Sequence, residues 1–208
     1  MKKIWDISPP VNAQSIVFPG DTAYQQHWSA TLSPDCPVNV SAITLSPHVG
    51  AHADAPLHYD PQGAAIGHLD LVPYLGPCRV IHCIGCLPLV TWEHIAHAVI
   101  DLPERILVRT YRHTPQDRWD PDLAAFAPET LTRLADLGVT LIGIDTASID
   151  PAASKILPSH QVIRQRNLRV LENLVLDAVP EGDYELIALP LKLTDADASP
   201  VRAILREL

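Results

Sequence analysis

Four side chains of metal-ligand type fall within eleven residues of this chain: His48, His52, Asp54 and His58, in the run SPHVGAHADAPLHY. Imidazole nitrogens and carboxylate oxygens are the donors that a borderline divalent cation such as zinc takes. A cation held by them and open to water supplies a nucleophile at neutral pH, so the run points to a hydrolase. The spacing restricts the geometry. Fully extended, His48 and His52 stand ~13 Å apart, too far to share one ion. One helical turn brings their Cα atoms to about 6 Å but carries Asp54 off that face. A tight turn over 48–52, permitted by Gly50, followed by an extended exit lets all three converge, because His52 and Asp54 then point the same way. Pro56 favours that exit by disfavouring the helical region at Ala55. Two imidazoles and one carboxylate leave positions open for water, and His58 can face the same cavity as a proton carrier. One such histidine alone would read as a solvated loop residue; three with an aspartate in an apolar context read as a metal site.

Other catalytic plans lack their motifs. There is no G-x-S-x-G elbow for a serine hydrolase, and neither G-x-x-x-x-G-K-[ST] nor G-x-G-x-x-G for a nucleotide phosphate. Cys83 and Cys86 make one C-x-x-C, but a zinc ribbon needs a second pair and a redox pair needs a helix starting at the first thiol. Cys83 instead ends the extended run RVIHCI, so both read as buried structural thiols, with Cys36 and Cys78 also free. His82, His94, His97 and His113 have no partner pattern and read as structural, while His27 and His68 stay unassigned. His160, in LPSHQ, and Glu172, in RVLENLV, carry little signal by themselves.

The elements that position these residues read as mixed α/β with more strand than helix. Extended segments are expected at Lys2–Ile7 and Ser15–Phe18, the second closed by the turn Pro19-Gly20-Asp21-Thr22. Strands are also expected over Val38–Ser46, Arg79–Ile84, Ile106–Thr110, Val139–Ile144 and Tyr184–Leu191, and in the alternating run Val201–Arg206. Thr91 can cap a helix over Trp92–Ile100, and Pro128 opens one that runs to Leu137, with Gly138 just past its end. Asp145 ends the buried strand VTLIGI, a place where α/β sites often form. The 208 residues, 47% hydrophobic and 19% charged, suit a single domain over 1–208. A net charge of −9 without any basic run argues against nucleic acid and anionic membrane as partners. No signal segment or long apolar stretch appears, so a cytoplasmic location is expected.

The run from His48 to His58 closely resembles the H-x-G-T-H-x-D-x-P-x-H signature of the cyclase-type metal-dependent hydrolases. The likeness extends over nearly the whole chain, through the opening DIS-P, the FPGDT turn, GAHADAPLHY, LIGIDTASID, SHQ and LENL. Within the family it is nearest to the branch that hydrolyses aryl formamides. Ala51 stands where the signature has Thr, and Phe18 where that branch has Trp. The resemblance implies a mixed sheet or barrel-like core flanked by helices, assembled as a homodimer. It implies two zinc ions, with manganese an alternative: one held by His48, His52 and Asp54, the second by His160 and Glu172, with Asp54 bridging. It implies N-formyl-L-kynurenine as substrate, His58 as proton carrier and Phe18 as the aromatic face against the substrate ring. A cyclic amide such as isatin could use the same metal set, and a closed, non-catalytic metal site is the remaining alternative.

Overall fold

A computed structural model describes residues 2–208. Thirteen strands form: β1 (Ile4–Asp6), β2 (Gln25–Ala30), β3 (Val40–Thr44), β4 (His52–Asp54), β5 (Leu75–His82), β6 (Leu89–Val90), β7 (Arg105–Arg109), β8 (Ala125–Phe126), β9 (Leu141–Ile144), β10 (Arg169–Glu172), β11 (Gly182–Ile187), β12 (Ala198–Pro200) and β13 (Ile204–Arg206). Four short helices accompany them: α1 (Pro56–Tyr59), α2 (Trp92–Ile95), α3 (Pro128–Asp136) and α4 (Pro158–Arg166). Nine strands make one curled mixed sheet in the order β1-β13-β11-β5-β7-β9-β10-β4-β12. The neighbours β5, β7, β9 and β10 run parallel, and the strands on both flanks pair antiparallel. The expected single-domain α/β architecture is therefore the one observed.

Alternation places the core. Val80, Leu107, Leu141 and Leu171 point into the concave side of the sheet, where they meet Ile7, Tyr74, Leu186 and Leu205. Their neighbours Ile81, Ile106, Val108, Ile142 and Val170 point to the other face, against Leu131 and Leu134 of α3 and Ile163 of α4. Successive strand residues face opposite ways, and the central strands are buried on both faces, so they appear in sequence as unbroken apolar runs. Helix α3 starts at Pro128 and ends before Gly138, whose φ of 91° is one that residues with a Cβ rarely adopt.

Three expectations change. The helix expected over Trp92–Ile100 keeps its capping Thr91, whose N–H donates to His94 Nδ1 at 3.0 Å, but α2 is one turn long and tightens into a 3₁₀ turn over Ala96–Ala98. The Arg79 guanidinium takes the carbonyls of Ala98 and Ile100 at 3.0 and 2.7 Å, which ends the segment on the sheet. Ser15–Phe18 pairs with no strand. It runs between turns closed by Ser15 N–H to Asn12 O and Asp21 N–H to Phe18 O, both 2.9 Å, and its end residue Phe18 lines a cavity. The partner of β3 is β2, a strand the sequence reading lacks, and the two form a ribbon apart from the main sheet.

Candidate metal and hydrolase centre

Strand β4 lies between β10 and β12, with His52 opposite Glu172 on one side and Pro200 on the other. The same pairing sets Asp54 opposite Val170. Val170 packs on the helical face, so His52, Asp54 and Glu172 all project there, toward His160 in the first turn of α4. Gly50 makes the turn before β4 at φ 71°, as the spacing required, and a Cβ there would meet Val11 Cγ2 at 2.7 Å. Ala55 is extended, and the chain then enters α1, which carries His58.

The donors are oriented. His52 Nδ1 lies 2.9 Å from the Gly50 carbonyl, so it carries the proton and leaves the Nε2 lone pair pointing inward. That Nε2 stands 3.4 Å from Glu172 Oε2 and 3.5 Å from Asp54 Oδ1. His160 repeats the arrangement: Nδ1 donates to Asp150 Oδ2 at 2.8 Å, while Nε2 faces Asp54 Oδ2 at 3.3 Å and Glu172 Oε1 at 3.8 Å. Asp150 also accepts from the N–H groups of Ser159 and His160, so it caps α4 and fixes the imidazole together. His48 Nε2 meets Asp197 Oδ2 at 2.9 Å, and its Nδ1 comes within 3.1 Å of Asp54 Oδ1.

His52, Asp54, Asp150, His160 and Glu172 are nearly inaccessible, and buried polar atoms are ordinarily paired. Here His52 Nε2 and Asp54 Oδ1 are buried with no hydrogen-bond partner. Lone pairs from two imidazoles and two carboxylates converge on one space, which is unfavourable unless a cation or protons sit between them. The donors fit a divalent metal, and the partners of the outer ring nitrogens are those that orient metal-bound histidines. Without metal, protons fill that role. Burial opposes the charge on His48 and His160, but the carboxylates around them prevail and push the two up to about 9 and about 10. Burial likewise opposes ionisation of Asp54, yet His160 and His48 hold it well below the usual carboxylate range.

His58 is partly exposed, its Nδ1 3.2 Å from the same Asp197 Oδ2 that meets His48. Both histidines, His160, Glu172 and Phe18 line one cavity of about 390 Å³. The Phe18 ring stands edge-on to Trp119, centroids 4.8 Å apart at 71°. The structure thus brings together every residue that the sequence reading named for the site. It adds two. Asp150 and Asp197 look in sequence like ordinary loop carboxylates. Asp145, at the end of its buried strand, does not line this cavity. Its carboxylate accepts from Thr110 N–H, Thr110 Oγ1 and Tyr111 N–H at 2.7–2.9 Å, and burial pushes it up to about 6 against those bonds. His82 and His97 are tied to Val179 O and Glu181, away from the centre. All four cysteines are free, as expected.

The curled mixed sheet and the inward-facing donor set together define a hydrolase-type protein with a candidate metal centre. The chain belongs to the cyclase family: the family model described as putative cyclase matches residues 5–151. It is 74% identical over 207 residues to a kynurenine formamidase of Delftia acidovorans, covering 100% of this chain and 99% of that protein. It is 67% identical to the kynurenine formamidase of Bordetella pertussis, with both chains covered in full. Among solved structures, a potential metal-dependent hydrolase with cyclase activity superposes with a TM-score of 0.86 at 28% identity, over 100% of this chain and 99% of the other. Isatin hydrolase A from Labrenzia aggregata shares the fold, with a TM-score of 0.81 at 23% identity over 99% and 94% of the two chains.

Proposed function

We propose that this chain hydrolyses N-formyl-L-kynurenine to L-kynurenine and formate at a zinc centre. The observation that carries the reading is the pair of buried, unpartnered atoms His52 Nε2 and Asp54 Oδ1, which face His160 and Glu172 at the edge of the cavity that holds His58. The kynurenine formamidases at 65–74% identity over essentially the full chain direct it to an aryl formamide rather than to a cyclic amide. His48, His52 and Asp54 would hold one ion, and His160 and Glu172 a second, with Asp54 shared. Imidazole and carboxylate suit zinc and also accept manganese.

A bound cation would supply Lewis acidity toward the formyl oxygen and ease the ionisation of water. The chain supplies the proton transfers. Asp197 accepts from His58 Nδ1–H, which leaves His58 Nε2 to take a proton from the attacking water and return it to the departing aniline nitrogen as the C–N bond breaks. Phe18, braced by Trp119, offers the substrate ring an aromatic wall.

The exposed ribbon supports a homodimer. Trp28 and Ile43 project from it 56% and 57% exposed, and an isolated two-stranded ribbon is marginal in water. The four free thiols fit a reducing, cytoplasmic setting. Among the described residues no helix is long and apolar enough to cross a membrane. A side-by-side assay tests the activity: formate release from N-formyl-L-kynurenine is expected, and turnover of isatin alone would contradict the reading.

A further inference from the structure

The cavity that contains His58 has a second chemical character, set by groups that the hydrolysis itself does not use. Besides Phe18 it is lined by Asp21, Ser46 and Lys155. Lys155 is the one Lys or Arg in that lining. Cationic side chains elsewhere are largely committed: Arg79 to Asp183, Arg164 to Asp60, Arg202 to Asp6, Arg206 to Glu185, and Arg105 to the carbonyls of Val72 and Pro73. Lys155 forms no ion pair with any described residue.

Both groups sit on tied backbone. Ser154 N–H donates to Pro151 O at 2.8 Å, and Leu157 N–H donates to Ser154 Oγ at 3.1 Å, so Lys155 rides a closed loop that leads straight into α4 and His160. Asp21 N–H donates to Phe18 O at 2.9 Å, and its carboxylate accepts from Ser46 Oγ at 3.1 Å, two residues before His48. An aromatic ring, a carboxylate and an ammonium group thus share a cavity with the proton-transfer histidine. The remaining charged lining, Glu172 and Asp197, is acidic, and so is the chain as a whole at −9. An anionic substrate group is therefore disfavoured along these walls except beside Lys155.

We infer that Lys155 and Asp21 select substrates carrying an α-amino-acid tail, Lys155 pairing with the α-carboxylate and Asp21 with the α-ammonium. The inference rests on the formamidase reading, whose substrate bears both groups on the arm attached to the formamide-bearing ring. With the ring against Phe18 and the formyl group beside His58, the tail is left to the two charged groups. Both are solvent-exposed, so screening keeps each contribution modest.

Steady-state kinetics on the metal-loaded protein test this with three substrates: N-formyl-L-kynurenine, its decarboxylated analogue N-formylkynurenamine, and formanilide, which has no tail. Lys155→Met is expected to raise KM for N-formyl-L-kynurenine about five- to tenfold while leaving the other two substrates unchanged. Lys155→Arg should restore most of the loss. Asp21→Asn should raise KM for both amine-bearing substrates and leave formanilide unchanged. Equal effects on all three substrates, or none on any, overturn the inference. A parent protein that releases formate from none of them overturns the formamidase reading itself; one that turns over formanilide and N-formylkynurenamine as efficiently as N-formyl-L-kynurenine overturns only the role of the tail.

Discussion

His52 and Glu172 stand directly opposite each other on adjacent antiparallel strands, His52 Nε2 3.4 Å from Glu172 Oε2. Register alone therefore brings two distant parts of the chain to one candidate ion site. Because the side-chain period in a strand is two, a slip of either strand by one residue would send its own ligand to the concave core. The sheet that builds the core thus also aims the ligands. Glu172→Gln is expected to keep the fold and lose metal, measured as zinc per chain after dialysis against metal-free buffer. Full retention of zinc would remove Glu172 from the ligand set.

Asp150 acts through His160. Its Oδ2 holds His160 Nδ1 at 2.8 Å, so Asp150→Asn leaves the ligand in place but weakens its orientation. Metal affinity is expected to fall about 10- to 100-fold. Competition with a chromogenic chelator would measure it, and an unchanged affinity would make Asp150 a helix cap and nothing more.

His58→Ala is expected to lower formate release by about 10²- to 10⁴-fold with metal content unchanged. Asp197→Asn keeps the shape beside His58 and removes the charge, so a smaller loss in kcat is expected. Parent-like turnover by His58→Ala would mean that the proton travels another way.

The metal-free centre is held together by protons, and the pH dependence follows. His48 and His160 have folded-state values raised to about 9 and about 10, above their unfolded value near 6.5. Their contribution to stability is complete below that unfolded value and is lost as pH rises through the folded ones. Metal-free protein is thus expected to lose thermal stability between about pH 7 and pH 10. Metal binding displaces these protons, so zinc affinity should rise over the same interval. Melting curves with and without zinc across that range check both signs; a metal-free protein that gains stability toward alkaline pH would contradict them.

Asp145 provides the structural control. Asp145→Ala removes a buried acceptor from two N–H groups and one hydroxyl and is expected to cost about 3 kcal/mol in chemical denaturation. Zinc per folded chain should not change.

Much of this centre was legible from spacing, because the proposed ligands His48, His52 and Asp54 lie on one short segment whose turn and strand obey local rules. Gly50 and Pro56 supplied the turn and the exit. His160 and Glu172 were legible only through family likeness, since strand register and a helix start bring them in from far along the chain. Asp197 and Asp150 were not legible, as a loop carboxylate carries no local mark of the histidine it will meet. Ribbon strand β2 was missed because QQHWSA is polar and exposed, so the burial pattern that marks a strand is absent. The helix after Thr91 was overestimated because Arg79, from another strand, claims the carbonyls at its end.

The most direct measurement follows formate release from N-formyl-L-kynurenine by one preparation as isolated, after chelation, and after zinc is returned, with metal content determined at each stage. Activity should disappear with the metal and return with it, in proportion to the ions bound. Undiminished turnover by protein shown to hold no metal would contradict the account.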